Sequence, residues 1–131
     1  MQNQTATIEV QENNNNYGII RLIKTQKKLF SIKLAFQHRN MDKSFCKTLE
    51  NSLIRHANTV QYLMIVNGEL LTNIFLYFVN LKVLILDSSY DFGWNYLQNL
   101  SLPFLQTLKA SWVPLKAVTS LIKNTSDHLL K

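Results

Sequence analysis

Several residue types are scarce in this sequence. One cysteine, three glycines and two prolines are spread over 131 residues. The single thiol, Cys46, excludes an internal disulfide, and the three histidines show no metal-ligand spacing relative to it. Three scattered glycines cannot form a phosphate-cradling loop. We therefore expect no metal, no cofactor and no catalytic residue.

Long apolar stretches are also missing. The longest uninterrupted apolar run is Ile74 to Val79, far short of the roughly 18 residues that a membrane span requires. Residues 1–16 contain neither a basic n-region nor an apolar core, so they do not form a secretory signal. With one cysteine and no export signal, we expect an intracellular protein, cytoplasmic or nuclear, that does not contact a membrane.

Acidic residues are outnumbered, because 14 Lys and Arg stand against 8 Asp and Glu and give a net charge of +6. The excess is concentrated in residues 21–56, which contain nine basic residues and only two acidic ones, Asp42 and Glu50. A solvated set of helix faces is the interpretation we favour. The alternative is binding to nucleic acid or another anionic surface. The residues that would carry it are Lys24, Lys27, Lys28 and Lys47.

A recurring aliphatic pattern dominates the rest of the chain. The spacing L-x-x-L-x-L begins at Leu81, and each match to it is called a rung below. The rungs begin at Thr5, Leu29, Val60, Leu81 and Leu105. A last rung is expected to begin at Leu129, where the chain stops. The intervals are 24, 31, 21, 24 and 24 residues. Leucine-rich repeats have this core and a period of 20–29 residues.

Helical periodicity fills the intervals between the rungs. The segments with apolar residues at helical spacing are 18–28, 43–57, 70–79, 93–100 and 114–123. Pro114 suits a first helical turn and Asn124 a helix end. We therefore predict an α/β leucine-rich-repeat solenoid, horseshoe-like, with parallel strands on the concave face and helices on the convex face. Residues 1–17 are a polar segment with an irregular first strand, and 18–131 are irregular repeats with the last one truncated.

The loops after the strands depart from the usual repeat. Leucine-rich repeats carry Asn or Cys three residues after the third aliphatic position. The residues at that position here are Gln37, Gly68, Ser89 and Val113. We therefore expect these loops to be held by other contacts than an asparagine ladder.

Four segments resemble a known family in the identity of their residues as well as in their spacing. They are SFCKTLENSLIRHANTVQYLMI, NLKVLILD, LSLPFLQTLKA and VPLKAVTSLIKNTSDHLL. Over residues 18–131 they resemble the repeat portion of the F-box/leucine-rich-repeat proteins of arbuscular mycorrhizal fungi. In that family the F-box docks on the adaptor of a cullin ubiquitin ligase and the repeats select the protein to be ubiquitinated. We find no F-box here, so the resemblance implies target recognition and no adaptor binding by this chain.

The repeat geometry predicts a contact surface. Residues between the aliphatic positions of each rung point to the concave face, where apolar side chains next to each other mark a contact site. The residues predicted to bind a protein partner are Tyr62, Met64, Val66, Val83 and Ile85, with Lys33 and Lys109 as a basic rim. Ordinary strand propensity is the competing explanation, and a slip of one residue would exchange the two faces.

Other features have simpler interpretations. Cys46 lies on an apolar helix stripe, so we expect it to pack in the core. Asp87 and Asp91 are interpreted as loop polarity, and Trp94 and Trp112 as covers over neighbouring loops. A third view of the chain is a truncated repeat fragment without an independent function, which would self-associate through an uncapped last rung.

Overall fold

The computed structural model describes residues 17–35, 43–66, 74–87, 100–111 and 113–129. Within these ranges the chain forms three α-helices and four strands, with a short 3₁₀ turn at Ile74–Leu76. In chain order they are α1 (Tyr17–Thr25), β1 (Ser31–Ala35), α2 (Lys43–Ile54), β2 (Tyr62–Val66), β3 (Val83–Asp87), β4 (Thr107–Ser111) and α3 (Leu115–Leu129). The predicted α/β class is confirmed.

The four strands form one parallel sheet in the order β1-β2-β3-β4, the order of the chain itself. Ser31 pairs with Tyr62, Tyr62 with Val83, and Val83 with Thr107. Successive strands are therefore 31, 21 and 24 residues apart, and these are the intervals that the sequence predicted for these four rungs. Each strand therefore pairs with the strand that precedes it in the chain.

One face of the sheet is covered by the helices. In β1, β2 and β3 buried and half-buried residues alternate, so the aliphatic positions of each rung point to one face. The strand residues on this face, Ile32, Leu34, Leu63, Ile65, Leu84 and Leu86, are at most 1% exposed. They share a single core with Ile23 of α1, Phe45 of α2 and Leu121 of α3. Each such side chain contributes about 1.5–3 kcal/mol on burial.

The rung that starts at Leu105 and contains β4 is less buried than predicted. In β4 the inward positions are Leu108, which is half-buried, and Ala110, which is exposed. Ala110 is the sixth residue of this rung, a position that the L-x-x-L-x-L pattern assigns to the core, and the structure leaves it exposed. In the described part of the chain β4 has a neighbouring strand on one side only, and a methyl group reaches a short way into the core.

Two expectations about the end of the chain are also wrong. Helix α3 starts directly after Pro114, whose carbonyl accepts from Val118 N at 3.2 Å. Asn124 does not end the helix, and Leu129 is its last residue rather than the first of a new rung. The Asn124 Nδ2 group donates to the Leu100 carbonyl at 3.0 Å, which fastens the helix to the loop before β4.

The other predicted helices differ mainly in length. Helix α1 ends at Thr25, three residues earlier than predicted. Within 70–79 the described part forms only the 3₁₀ turn, in the shortest of the three intervals. Several predicted features lie outside the described residues: the rung from Thr5, the helix at 93–100, Trp94, Trp112, Asp91, Gln37, Gly68 and Ser89.

Side chains just before the strands fasten neighbouring rungs to each other. The Thr59 hydroxyl donates to the Leu29 carbonyl at 2.7 Å. The Asn80 amide donates to the Asn58 carbonyl at 3.1 Å. Each bond gives a backbone carbonyl a hydrogen-bond donor from a neighbouring part of the chain. These bonds act at the amino ends of the strands. How the loops after the strands are held stays a prediction, because Gln37, Gly68 and Ser89 lie outside the described residues.

Candidate functional site

The face of the sheet that the helices do not cover is called the open face below. Because the strands are parallel and in register, its side chains form three rows that run across all four strands. The first row is Ser31, Tyr62, Val83 and Thr107, the second Lys33, Met64, Ile85 and Lys109, and the third Ala35, Val66, Asp87 and Ser111. All seven residues predicted to bind a partner lie on this face.

The second row has an apolar centre between two lysines. Met64 and Ile85 are register partners on the two inner strands, and both are half-buried. Lys33 and Lys109 take the same level on the two outer strands. With about 4.8 Å between neighbouring strands, the lysine Cα atoms are about 14 Å apart. The basic rim predicted from the sequence is therefore aligned with the apolar pair.

The first and third rows extend this apolar centre unequally. Tyr62 and Val83 are register partners in the first row, directly beside Met64 and Ile85, so four apolar side chains adjoin. In the third row Val66 is paired with Asp87, a half-buried acidic residue that ends β3 and so lies on this face rather than in the loop where the sequence predicted it. The apolar patch is thus bounded by a carboxylate at the carboxyl ends of the strands.

The amino ends of the strands form a second feature, which sequence reasoning missed. At three successive steps the carbonyl before a strand accepts hydrogen bonds from two consecutive N–H groups of the next rung. The acceptors are Phe30, Gln61 and Lys82, with N···O distances of 2.8–3.1 Å. Because the backbone arrangement repeats, the side chains of these residues and of Gln106 are equivalent. We call this row of four the amino edge.

Two adjoining clefts open at the amino edge. The larger, about 400 Å³, has walls that include Phe30, Tyr62 and Val83. The smaller, about 310 Å³, has Phe104 as its aromatic wall, and this ring is 57% exposed. Gln61 and Lys82 line both clefts and stand between them. Among the described residues that line either cleft, Lys82 is the one that carries a charge.

Positive charge is widespread in the helical layer. Seven exposed basic residues belong to α1, α2 and the segments just after them: Arg21, Lys24, Lys27, Lys28, Lys43, Lys47 and Arg55. Helices α1 and α2 contact each other, so this charge is shared by one part of the layer. Glu50, the acidic residue of α2, is buried, and Asp87 lies on the open face.

The chemically versatile side chains in the core have structural roles. His56 is 5% exposed, and its Nε2 donates to the Ile23 carbonyl at 2.8 Å, near the end of α1. Cys46 is 3% exposed within the core, in agreement with the predicted packing role. Among the described residues, no group of three or more His, Cys, Asp or Glu is arranged to hold a metal ion. No described helix has the length and hydropathy needed to cross a bilayer.

Comparison with known proteins adds no relative to this picture. No protein-family model matches the chain, and neither a curated protein nor a solved structure shows significant similarity to it. The geometry of the open face and the amino edge is therefore what supports a function for this chain.

Proposed function

We propose that this chain is a non-catalytic protein-recognition module, built as an irregular leucine-rich-repeat solenoid, that binds its partner on the open face. The sequential parallel sheet, its intervals of 31, 21 and 24 residues and the helices on one side support this architecture. The observation that carries the proposal is the second row, in which Met64 and Ile85 lie between Lys33 and Lys109.

The chemistry of this row describes the partner. Met64 and Ile85 offer apolar area that association would remove from water, which favours an apolar side chain opposite them. The two lysines favour acidic residues on either side of it. Acidic groups about 14 Å apart correspond to about four residues of extended chain or about nine of helix. The partner is therefore a protein segment with an apolar centre and acidic flanks.

The resemblance of the sequence to fungal F-box/leucine-rich-repeat proteins extends this proposal. The chain would serve as the part of a ubiquitin-ligase subunit that selects the target. Adaptor binding is assigned to no residue of this chain.

Charge placed in the apolar centre tests the proposal. In the double variant Met64→Arg/Ile85→Arg, the loss of two buried apolar contacts is worth about 3 kcal/mol or more on binding, or about a hundredfold in affinity. The measurement is crosslinked affinity capture from a cell lysate, with captured proteins quantified by mass spectrometry. We expect one set of proteins to be retained by the wild-type chain and lost by the double variant.

A matched control separates this effect from general changes in surface charge. Ile122 is 50% exposed on α3, away from the sheet, so Ile122→Arg makes the same kind of change elsewhere. The control is expected to retain the same proteins as the wild type, and circular dichroism should be equal for all three chains. Equal capture by the wild type and the double variant would refute the open face as the binding site.

A second candidate is binding of nucleic acid or another anionic surface through the helical layer. The observation in its favour is the group of seven exposed basic residues on and after α1 and α2. This candidate requires an oligonucleotide to bind with an affinity that falls steeply with salt, since phosphate contacts release counterions. Charge reversal at Lys24 and Lys28 would then weaken that binding, and the double variant at Met64 and Ile85 would leave it unchanged.

A further inference from the structure

At the amino edge, the side chains rather than the backbone groups are available to a ligand. The backbone carbonyls of Phe30, Gln61 and Lys82 already accept two hydrogen bonds each from the chain. The side chains are therefore the groups that a ligand would meet. Gln61, Lys82 and Gln106 are all exposed, and they stand in equivalent positions on three neighbouring rungs.

The two clefts differ from the surface around them in combining aromatic walls with a central cation. Lys82 and Gln61 form the ridge between them. On one side of the ridge are Phe30 and Tyr62, and on the other is the exposed Phe104 ring. Volumes of about 400 and 310 Å³ are at the lower end of the range for ligand pockets, roughly 300–1,000 Å³. Each cleft has room for one side chain packed against its aromatic wall rather than for a large cofactor, and Asn58 and Asn80 are further walls of the smaller cleft.

We infer that the amino edge binds a short acidic peptide segment, with one carboxylate at the Lys82–Gln61 ridge and one apolar side chain in each cleft. The Lys82 ammonium supplies the charge, and the Gln61 amide supplies a second hydrogen-bond donor to the same carboxylate. This inference deepens the proposed function and rests on it, because Tyr62 and Val83 belong both to the larger cleft and to the open face.

The favoured ligand is a carboxylate in a peptide rather than a run of phosphates. A nucleic-acid strand presents a charge at every nucleotide and is bound by a track of several cations. Within the described part of the chain, Lys82 is the single cation lining these clefts, and its neighbours along the amino edge are glutamines and a phenylalanine. A single charge between two clefts that each have an aromatic wall matches an Asp or Glu with apolar neighbours.

Selection from a displayed library of random twelve-residue peptides tests this assignment. The wild-type chain is expected to enrich peptides with one Asp or Glu between apolar residues. Lys82→Glu reverses the charge at an exposed position, and this variant is expected to enrich Lys or Arg at the same place. Lys82→Met keeps the aliphatic stem but removes the charge, and it should lower the affinity for the selected peptides about tenfold. Lys116→Glu, an exposed position on α3, is the matched control and should leave the selection unchanged.

The outcomes separate this inference from the proposed function. A wild-type selection without acidic enrichment, or the same enrichment with Lys82→Glu, overturns the inference. In either case loss of lysate partners by the Met64→Arg/Ile85→Arg variant would leave the proposed function standing. A switch of peptide charge with Lys82→Glu supports the inference even if the lysate partners do not depend on Met64 and Ile85. Binding of a twelve-nucleotide strand that depends on Lys82, with no peptide selected, also overturns it.

Discussion

Leu84 and Leu108 occupy the same position in two adjacent rungs, and they should differ sharply in their contribution to stability. They are direct register partners on β3 and β4. Leu84 is 0% exposed, whereas Leu108 is only partly buried. Leu84→Ala removes a fully packed side chain from the core, a change that costs about 2–5 kcal/mol. Leu108→Ala removes a side chain that water already reaches, so about 1–2 kcal/mol is expected.

The difference is large enough to measure by thermal and urea unfolding followed by circular dichroism. At about 2.1 cal/mol/K per residue, a chain of 131 residues unfolds with an entropy of about 0.28 kcal/mol/K. A loss of 3 kcal/mol therefore lowers Tm by roughly 11 °C, and a loss of 1.5 kcal/mol by about half as much. Equal losses for the two variants would contradict the placement of β4 as a partly exposed outer strand. A larger loss for Leu108→Ala would contradict the burial of β3.

Two further predictions concern polar groups at and below the surface of the core. Thr59→Val removes the hydroxyl that donates to the Leu29 carbonyl at 2.7 Å, so it should cost about 0.5–1.5 kcal/mol by urea unfolding, and an unchanged stability would remove this bond from the forces that join rungs. Cys46 is 3% exposed, so an aromatic disulfide reagent should modify it only at the rate of unfolding, and rapid modification of the native chain would contradict its burial.

The sheet was predictable because its signal is repeated along the chain. A strand buried on one face has a period of two residues, and the rung pattern places aliphatic residues at that period in four separate segments. The intervals between the rungs then fix the register, and the paired residues follow these intervals in all three strand pairs. The open face follows from the same alternation, which is why its seven predicted residues lie together.

The ends of the helices and the burial of β4 were harder to predict, because long-range contacts decide them. Asn124 is a common residue at helix ends, but its amide donates to Leu100, 24 residues earlier in the chain. Ala110 satisfies the rung pattern, yet burial depends on what lies beyond β4 and not on the residue itself. A sequence pattern indicates whether a residue tends to be buried or to end a helix. The residues around it in the fold determine whether it does so.

The amino edge could not be predicted from the rung pattern because it falls at the second position of each rung, which the template leaves unspecified. Phe30, Gln61, Lys82 and Gln106 share no chemical type, so their equivalence is invisible in the sequence. It becomes visible only through the repeated backbone bonds that bring them into one row. Positions that a repeat does not constrain are free to differ without loss of the core. In a repeat protein that recognises partners, such positions are therefore where specificity between related chains should be found.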